Sequence, residues 1–214
     1  MKLNMIYRIL KFILVPSTLG FVKEIKGLDN IPDKGHFVVA ANHLSYIDPL
    51  IIRSIFHRYF NKIVFYMTKK ESYGNFFKML FFESVGTIPV DRQKHGRAAL
   101  DAALKKLKEG CIIGLFPEGT RSRDGRLHRG KTGAVRLALS AKCPILPIGI
   151  KNTYEIWPPH KKLPRFKKTI VVNIGKPITL EKYYNKRITK KLLNGLTEKI
   201  MREIGKLSGQ QYVN

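Results

Sequence analysis

Hydrophobic positions along the chain fall into short apolar runs separated by stretches of helical spacing. Phe37-Val38-Val39-Ala40, Lys62–Met67, Gly86–Arg92, Cys111–Phe116, Ile145–Ile150 and Thr169–Ile174 are predicted as strands. Pro147 lies inside the fifth run and places it at a sheet edge or a bulge, because proline cannot donate to a ladder. Between His95 and Glu109, Ala98, Leu100, Ala103, Leu104 and Leu107 recur at intervals of mainly 3 and 4, and Gly110 closes the segment, so a helix is predicted there. Helices are also predicted over 49–58, 133–141 and 188–204, and Gly27–Pro32 is a turn-rich lead-in to the first strand. The aromatic stretch Phe76–Phe82 suits either a core or the wall of an alkyl-chain pocket. Strands alternate with helices throughout, which argues for an α/β fold around one sheet.

The first residues form a separate pattern. Met5, Ile6, Ile9, Leu10, Ile13 and Leu14 share one helical stripe, with Arg8 and Lys11 off it. No run approaches the roughly 20 apolar residues that span a bilayer, and no clear signal-peptide core or cleavage site is present. A basic amphipathic helix of this kind can lie in a membrane interface; the plainer reading is a terminal helix packed on its own domain.

Length and composition fit one domain of 214 residues with an ordinary core, 44% of the chain being hydrophobic. The charge is unusual. Forty Lys and Arg against 15 Asp and Glu give +25. That balance implies an anionic partner, whether nucleic acid, anionic lipid or a phosphorylated metabolite. Cys111 and Cys143 form no Cys-x2-Cys pair, so neither a disulfide framework nor a zinc site is indicated, and a reducing, cytoplasmic setting is expected.

Candidate chemistry begins where the first predicted strand ends, in Asn42-His43-Leu44-Ser45-Tyr46-Ile47-Asp48-Pro49. An imidazole can take a proton from a hydroxyl, and a carboxylate can orient it. Five residues of regular helix would hold the two side chains about 140° apart. They can meet only if the segment turns before the helix, and Asp48-Pro49 reads as an N-cap followed by a helix-starting proline. Taken alone, Asp48 could be a cap and His43 an ordinary strand-end histidine. Downstream, the run ending at Phe116 leads into Pro117-Glu118-Gly119-Thr120-Arg121-Ser122, at the strand end where α/β sheets place ligand sites. Gly119 permits close backbone approach and Arg121 offers a fork matched to phosphate. Glu118 reads as a salt-bridge partner or an acceptor for a substrate hydroxyl. The alternative is a solvated basic turn.

Gly125–Thr132 matches the G-x4-G-K-[ST] phosphate loop, but that loop must follow a buried strand directly, and here the strand ends at Phe116. A P-loop-type nucleotide binder is therefore a remote alternative. So is a basic nucleic-acid-binding protein, since aromatics interleaved with basic residues occur only faintly, around Phe166.

Four blocks, Asn42-His43-x4-Asp48, Gly86-x4-Asp91-Arg92, Phe116–Ser122 and Pro144-Ile-Leu-Pro147-Ile, stand in an order that resembles the lysophosphatidate (1-acylglycerol-3-phosphate) acyltransferases. The resemblance covers roughly residues 25–180. It implies an α/β domain over 25–214, a single mixed sheet flanked by helices, preceded by N-terminal amphipathic membrane-association helices over 1–24. It implies acyl transfer from acyl-CoA or acyl-carrier protein to the sn-2 hydroxyl of lysophosphatidic acid, giving phosphatidic acid, by a peripheral protein on the cytoplasmic face of an anionic membrane. Glycerol 3-phosphate or another lysolipid is an alternative acceptor. Carried over, His43 is the general base and Asp48 its orienting partner. Arg92 holds acceptor phosphate, Glu118, Gly119, Thr120 and Arg121 shape the acceptor site, and Lys69 or Lys70 is a further phosphate contact. Pro147 is structural. Because a thioester is already activated, no metal, cofactor or enzyme nucleophile is expected, although Ser45 could serve a ping-pong route. The oxyanion donors are expected among backbone amides near the helix start. No nucleic-acid partner is expected.

Overall fold

The computed structural model describes residues 5–74, 86–90 and 95–212, and of 5–11, 69, 72 and 95–97 the backbone alone. Among the described residues seven strands form one sheet: β1 (Val22–Lys26), β2 (Val38–Ala41), β3 (Val64–Lys69), β4 (Thr87–Val90), β5 (Ile112–Leu115), β6 (Ile145–Lys151) and β7 (Ile170–Ile174). Their order is β1-β7-β6-β2-β5-β3-β4. Neighbours run parallel except for β6 and β7, so the sheet is mixed. The helices are α1 (Met5–Leu19), α2 (Asp48–Phe60), α3 (His95–Lys108), α4 (Gly133–Ala141), the single turn α5 (Thr153–Ile156) and α6 (Lys190–Ser208). The α/β fold with a single mixed sheet flanked by helices is as expected.

The strand period of two divides the core between the faces of the sheet. In β2, Val39 and Ala41 join Ile51, Ile52, Ile55 and Phe56 of α2. Val38 and Ala40 join Val135, Leu137 and Ala138 of α4, with Ile200, Met201 and Ile204 of α6, on the opposite face. A strand buried on both faces reads as a continuous apolar run, which is why β2 and β6 were legible.

Two elements differ from expectation. β1 was not predicted, because Val22-Lys-Glu-Ile-Lys26 has an exposed edge-strand pattern with little apolar signal. It pairs with β7 and crosses the 24/25 boundary drawn between the terminal helices and the domain. Pro147 stands in β6, which is not an edge, since it has β2 on one side and β7 on the other; the irregularity is on the chain after β7, where Gly175 faces Pro147 and Ile178 faces Ile145, so two residues oppose Leu146. The reason is the end of β7: the Pro147 carbonyl accepts from Gly175 N–H (2.9 Å), one residue past the strand. The missing proline donor would have faced that departing chain, so its loss costs the ladder little.

α1 packs on α2, and the Thr18 hydroxyl bonds to Ser54 and to the Leu14 carbonyl. Among the described residues no helix is long and apolar enough to cross a membrane. The aromatic stretch 76–82 lies outside the described residues.

α6 lies on β6 backbone to backbone at Gly149, where an added Cβ would overlap the Leu207 carbonyl carbon and the Ser208 nitrogen. Gly149→Ala should therefore lower unfolding stability by about 1–3 kcal/mol. Urea denaturation reads this directly, and an unshifted midpoint would show that α6 yields without cost.

Candidate active site

β2 and β5 are neighbours near the middle of the sheet, and their carboxyl ends carry the two loops singled out in the sequence. Asn42, the residue after β2, is fully buried and clamps the strand end to β6. Its amide nitrogen donates to the Ile150 carbonyl and its oxygen accepts from Ile150 N–H, both at 2.8 Å. With β2 pinned, the chain turns through residues 43–47 before α2 begins. Asp48 is the first helical residue and does not cap its own helix: Ile47 occupies the cap position without a side-chain bond. The Asp48 carboxylate turns backward instead. Oδ2 accepts from Leu44 N–H and Ser45 N–H, each at 2.7 Å, and lies 2.9 Å from His43 Nδ1. An oxygen that already accepts from two donors accepts the third as well, so Nδ1 carries the hydrogen and Nε2 the lone pair. That tautomer is the one a general base requires.

Asp48 is 0% exposed, whereas the His43 side chain keeps 16% of its surface. The imidazole is stacked on Phe116, with ring centroids 3.9 Å apart and planes at 14°, and Phe116 stacks in turn on Tyr66 at 5.5 Å. The Tyr66 ring fits only because β5 has glycine opposite it, and a Cβ on Gly114 would overlap that ring. Burial pushes the Tyr66 hydroxyl well above the usual phenol range; the nearby Arg53 charge opposes this and the Asp48 charge adds to it.

The second loop holds His43 by its backbone. Glu118 Oε2 accepts from His43 N–H at 2.6 Å, and Ser122 N–H donates to the His43 carbonyl at 2.8 Å. Glu118 Oε1 accepts from His128 N–H at 3.0 Å. Glu118 is 5% exposed and each of its oxygens meets a backbone amide, so it fixes the backbone at His43. Gly119 has a left-handed backbone (φ 76), which favours glycine, and lies against the Lys131 side chain. The Arg121 guanidinium sits 3.5 Å over the Tyr46 ring, and its buried Nη1 has no hydrogen-bond partner among the described residues. A cation held flat on a ring with a spare donor is suited to an anionic ligand. Beyond this loop, Arg126 N–H, the Ser122 hydroxyl and the His128 ring hold Asp124 below the usual carboxylate range.

The comparisons with known proteins fit this arrangement. The acyltransferase family model matches residues 23–151, which is more than half of the chain. The chain belongs to the acyltransferase family. A 1-acyl-sn-glycerol-3-phosphate acyltransferase of Bacillus subtilis is 36% identical over 132 residues, covering 61% of this chain and 63% of that protein. One of Borreliella burgdorferi is 31% identical over 153 residues, covering 71% of this chain and 56% of that protein. The chain thus spans about three fifths of the length of these curated relatives. The crystal structure of the 1-acyl-sn-glycerophosphate acyltransferase PlsC from Thermotoga maritima has the same fold. It superposes with a TM-score of 0.73 at 22% identity, over 97% of this chain and 82% of that one.

Of the acyltransferase blocks, the structure brings the first and third into contact at His43, Glu118 and Ser122. The fourth adjoins the first through β6, the strand that Asn42 grips. Arg92 lies outside the described residues. Lys69 ends β3, on the same carboxyl side of the sheet as Phe116, and its side chain is not described. The amides of Leu44 and Ser45, in the turn before α2, are taken by Asp48. Ser45 itself is fully buried and donates its hydroxyl to the Trp157 carbonyl (2.6 Å), which leaves it without the role of nucleophile. The Gly125–Thr132 segment opens α4 but is separated from β5 by the whole Glu118 loop, and a Cβ on Gly130 would crowd Met201. The clamp of Asn42, the Tyr66–Phe116–His43 stack and the Trp157 carbonyl were not read from sequence. Asn42 directly after a buried run was the one available signal.

Burial pushes the Glu118 carboxyl up to about 7, against the His128 and His43 amides, which lower it. The unfolded carboxyl ionises near 4.5, so through the window between these values the folded chain holds more proton and its stability falls as pH rises. Glu118→Gln cannot titrate. The stability of wild type relative to Glu118→Gln should therefore drop by about 1–3 kcal/mol between about pH 5 and about pH 8. Urea unfolding of both proteins at each pH measures it, and a pH-independent difference would remove Glu118 as the source.

Proposed function

We propose that this chain transfers a fatty acyl group from acyl-CoA or acyl-carrier protein to the sn-2 hydroxyl of lysophosphatidic acid, giving phosphatidic acid. The observation that carries the reading is the His43 imidazole held by the buried Asp48, with Nδ1 committed and Nε2 left to take a proton. The acceptor hydroxyl loses its proton to Nε2 as its oxygen attacks the thioester carbonyl. The tetrahedral intermediate collapses with cleavage of the carbon–sulfur bond, and the proton passes from His43 to the leaving thiolate. Asp48 keeps the imidazole oriented and stabilises its cation. Arg121, with a spare buried donor, takes acceptor phosphate, and Thr120 lines the same loop. Lys69 and Arg92 are further phosphate contacts in this reading. The names of the relatives support lysophosphatidate as acceptor. No metal or cofactor is invoked. In this reading α1 attaches the protein peripherally to the cytoplasmic face of an anionic membrane.

The test is thiol release from a long-chain acyl-CoA with lysophosphatidate in mixed micelles. His43→Ala should lower kcat by about 10²–10⁴-fold without unfolding the protein, and retention of most activity would remove His43 as the base. Release dependent on glycerol 3-phosphate or another lysolipid in place of lysophosphatidate would move the acceptor within the family.

A second measurement separates phosphate recognition from catalysis. Arg121→Ala should reduce kcat/KM by about 10- to 100-fold for lysophosphatidate and far less for a neutral lysolipid. Equal losses on both acceptors would take Arg121 out of phosphate binding.

A further inference from the structure

Seven large hydrophobic side chains are exposed among the described residues, and five of them belong to one neighbourhood. Phe12 (74%) and Ile13 (62%) are on α1, Leu163 (78%) and Phe166 (79%) on the loop 157–168, and Tyr46 is in the turn after β2. Named contacts join these parts. Phe166 packs on Phe21 with ring centroids 4.9 Å apart, just past the end of α1, about 10 Å along the axis from Ile13. At its other end the loop meets the candidate site: Trp157 lies 5.3 Å from the Tyr46 ring and its carbonyl accepts from Ser45.

The loop is ordered, yet it points its apolar side chains outward. Arg165 N–H donates to the Ile156 carbonyl (2.9 Å), Lys161 N–H to the Pro158 carbonyl (3.1 Å), and Trp157 Nε1 to the Lys161 carbonyl (3.1 Å). Between Lys161 and Lys168 stand five cations, Lys161, Lys162, Arg165, Lys167 and Lys168, with no acidic residue. Leu163 and Phe166 stay 78% and 79% exposed within a cationic loop, although one edge of Phe166 touches Phe21. The pattern combines an apolar tip with a ring of positive charge, as an anionic bilayer interface requires.

We infer that the loop 157–168 is a second membrane-contact element, seated on an anionic phospholipid bilayer beside the candidate active site, with Leu163 and Phe166 entering the interface and the five cations meeting lipid phosphates. The inference rests on the lipid-acceptor reading for its purpose, not for its physical basis. A nucleic acid fits less well. Leu163 offers no face on which a base could stack, and the neighbouring Phe12 and Ile13 would remain exposed.

The test is flotation of the full chain with vesicles of equimolar phosphatidylcholine and phosphatidylglycerol, without acyl donor or acceptor. Leu163→Ser/Phe166→Ser should weaken vesicle binding about tenfold or more at both low and high salt, with α1 untouched. Lys167→Gln/Lys168→Gln should weaken it about tenfold at low salt and little at high salt. Both variants should keep wild-type transfer to a short-chain lysophosphatidate dispersed as monomer. Unchanged vesicle binding by both variants would overturn the inference, as would tighter binding of wild type to duplex DNA or RNA than to vesicles. Loss of binding by the variants, with no transfer by any of the proteins, would uphold this contact and overturn the proposed reaction.

Discussion

Asp48 has no contact with water, and one of its oxygens is met by three N–H groups from the turn that precedes it. A buried carboxylate without donors would be costly, so the turn over 43–47 and the placement of Asp48 fix each other. The backbone must curl for Leu44 and Ser45 to reach the oxygen, and the same curl brings the His43 ring across the five-residue gap. A substitution that loosened the carboxylate would lose the imidazole orientation and the turn together. The lone pair on Nε2 is a consequence of this convergence, since Nδ1 has nowhere else to send its hydrogen.

His43 is held from three more directions. Its N–H and carbonyl are fixed by Glu118 and Ser122 from the loop after β5, and its ring rests on Phe116, which begins that loop. The loop therefore sets the backbone of His43 while Asp48 sets its side chain. Below them, Gly114 admits the Tyr66 ring and Tyr66 supports Phe116, so a glycine in a central strand helps determine where the imidazole plane lies. Such stacking is precise because packed interiors leave few voids into which a ring could relax.

The sheet was largely legible because its central strands are buried on both faces and write long apolar runs, and α3 because its stripe is regular. β1 was not, being exposed along most of its length and paired only with a strand far away in sequence. At the site, the residue types and their order carried the two loops and the family. What each side chain touches is set by contacts across the sheet that no local pattern encodes. Glu118 illustrates the limit: an acidic residue among cations reads as an ion-pair partner or a ligand for substrate, and only the fold shows that its two oxygens are filled by amides from His43 and His128. Asp48 shows the converse, since the cap-and-proline signal marked the helix start to within one residue, yet Ile47 holds the cap position and the Asp48 carboxylate bonds backward to the turn.

The excess of positive charge is not stored in this buried cluster. Asp48, Ser45 and Asn42 are fully buried, and their partners are backbone groups and one imidazole, an arrangement that would suit any hydroxyl acceptor. In the proposed reaction, selection among acceptors would fall to the rim, where Arg121 lies over Tyr46 and Trp157 packs beside it. Tyr46 is thus shared by the Arg121 guanidinium and the loop 157–168. An amphiphile presents its phosphate at the boundary between water and hydrocarbon, the one place where a cation and a buried alkyl chain are both satisfied. In the proposed reaction, Arg121 over Tyr46 and the loop that begins at Trp157 would offer both surroundings, a charge for the phosphate and an apolar, cationic tip for the interface.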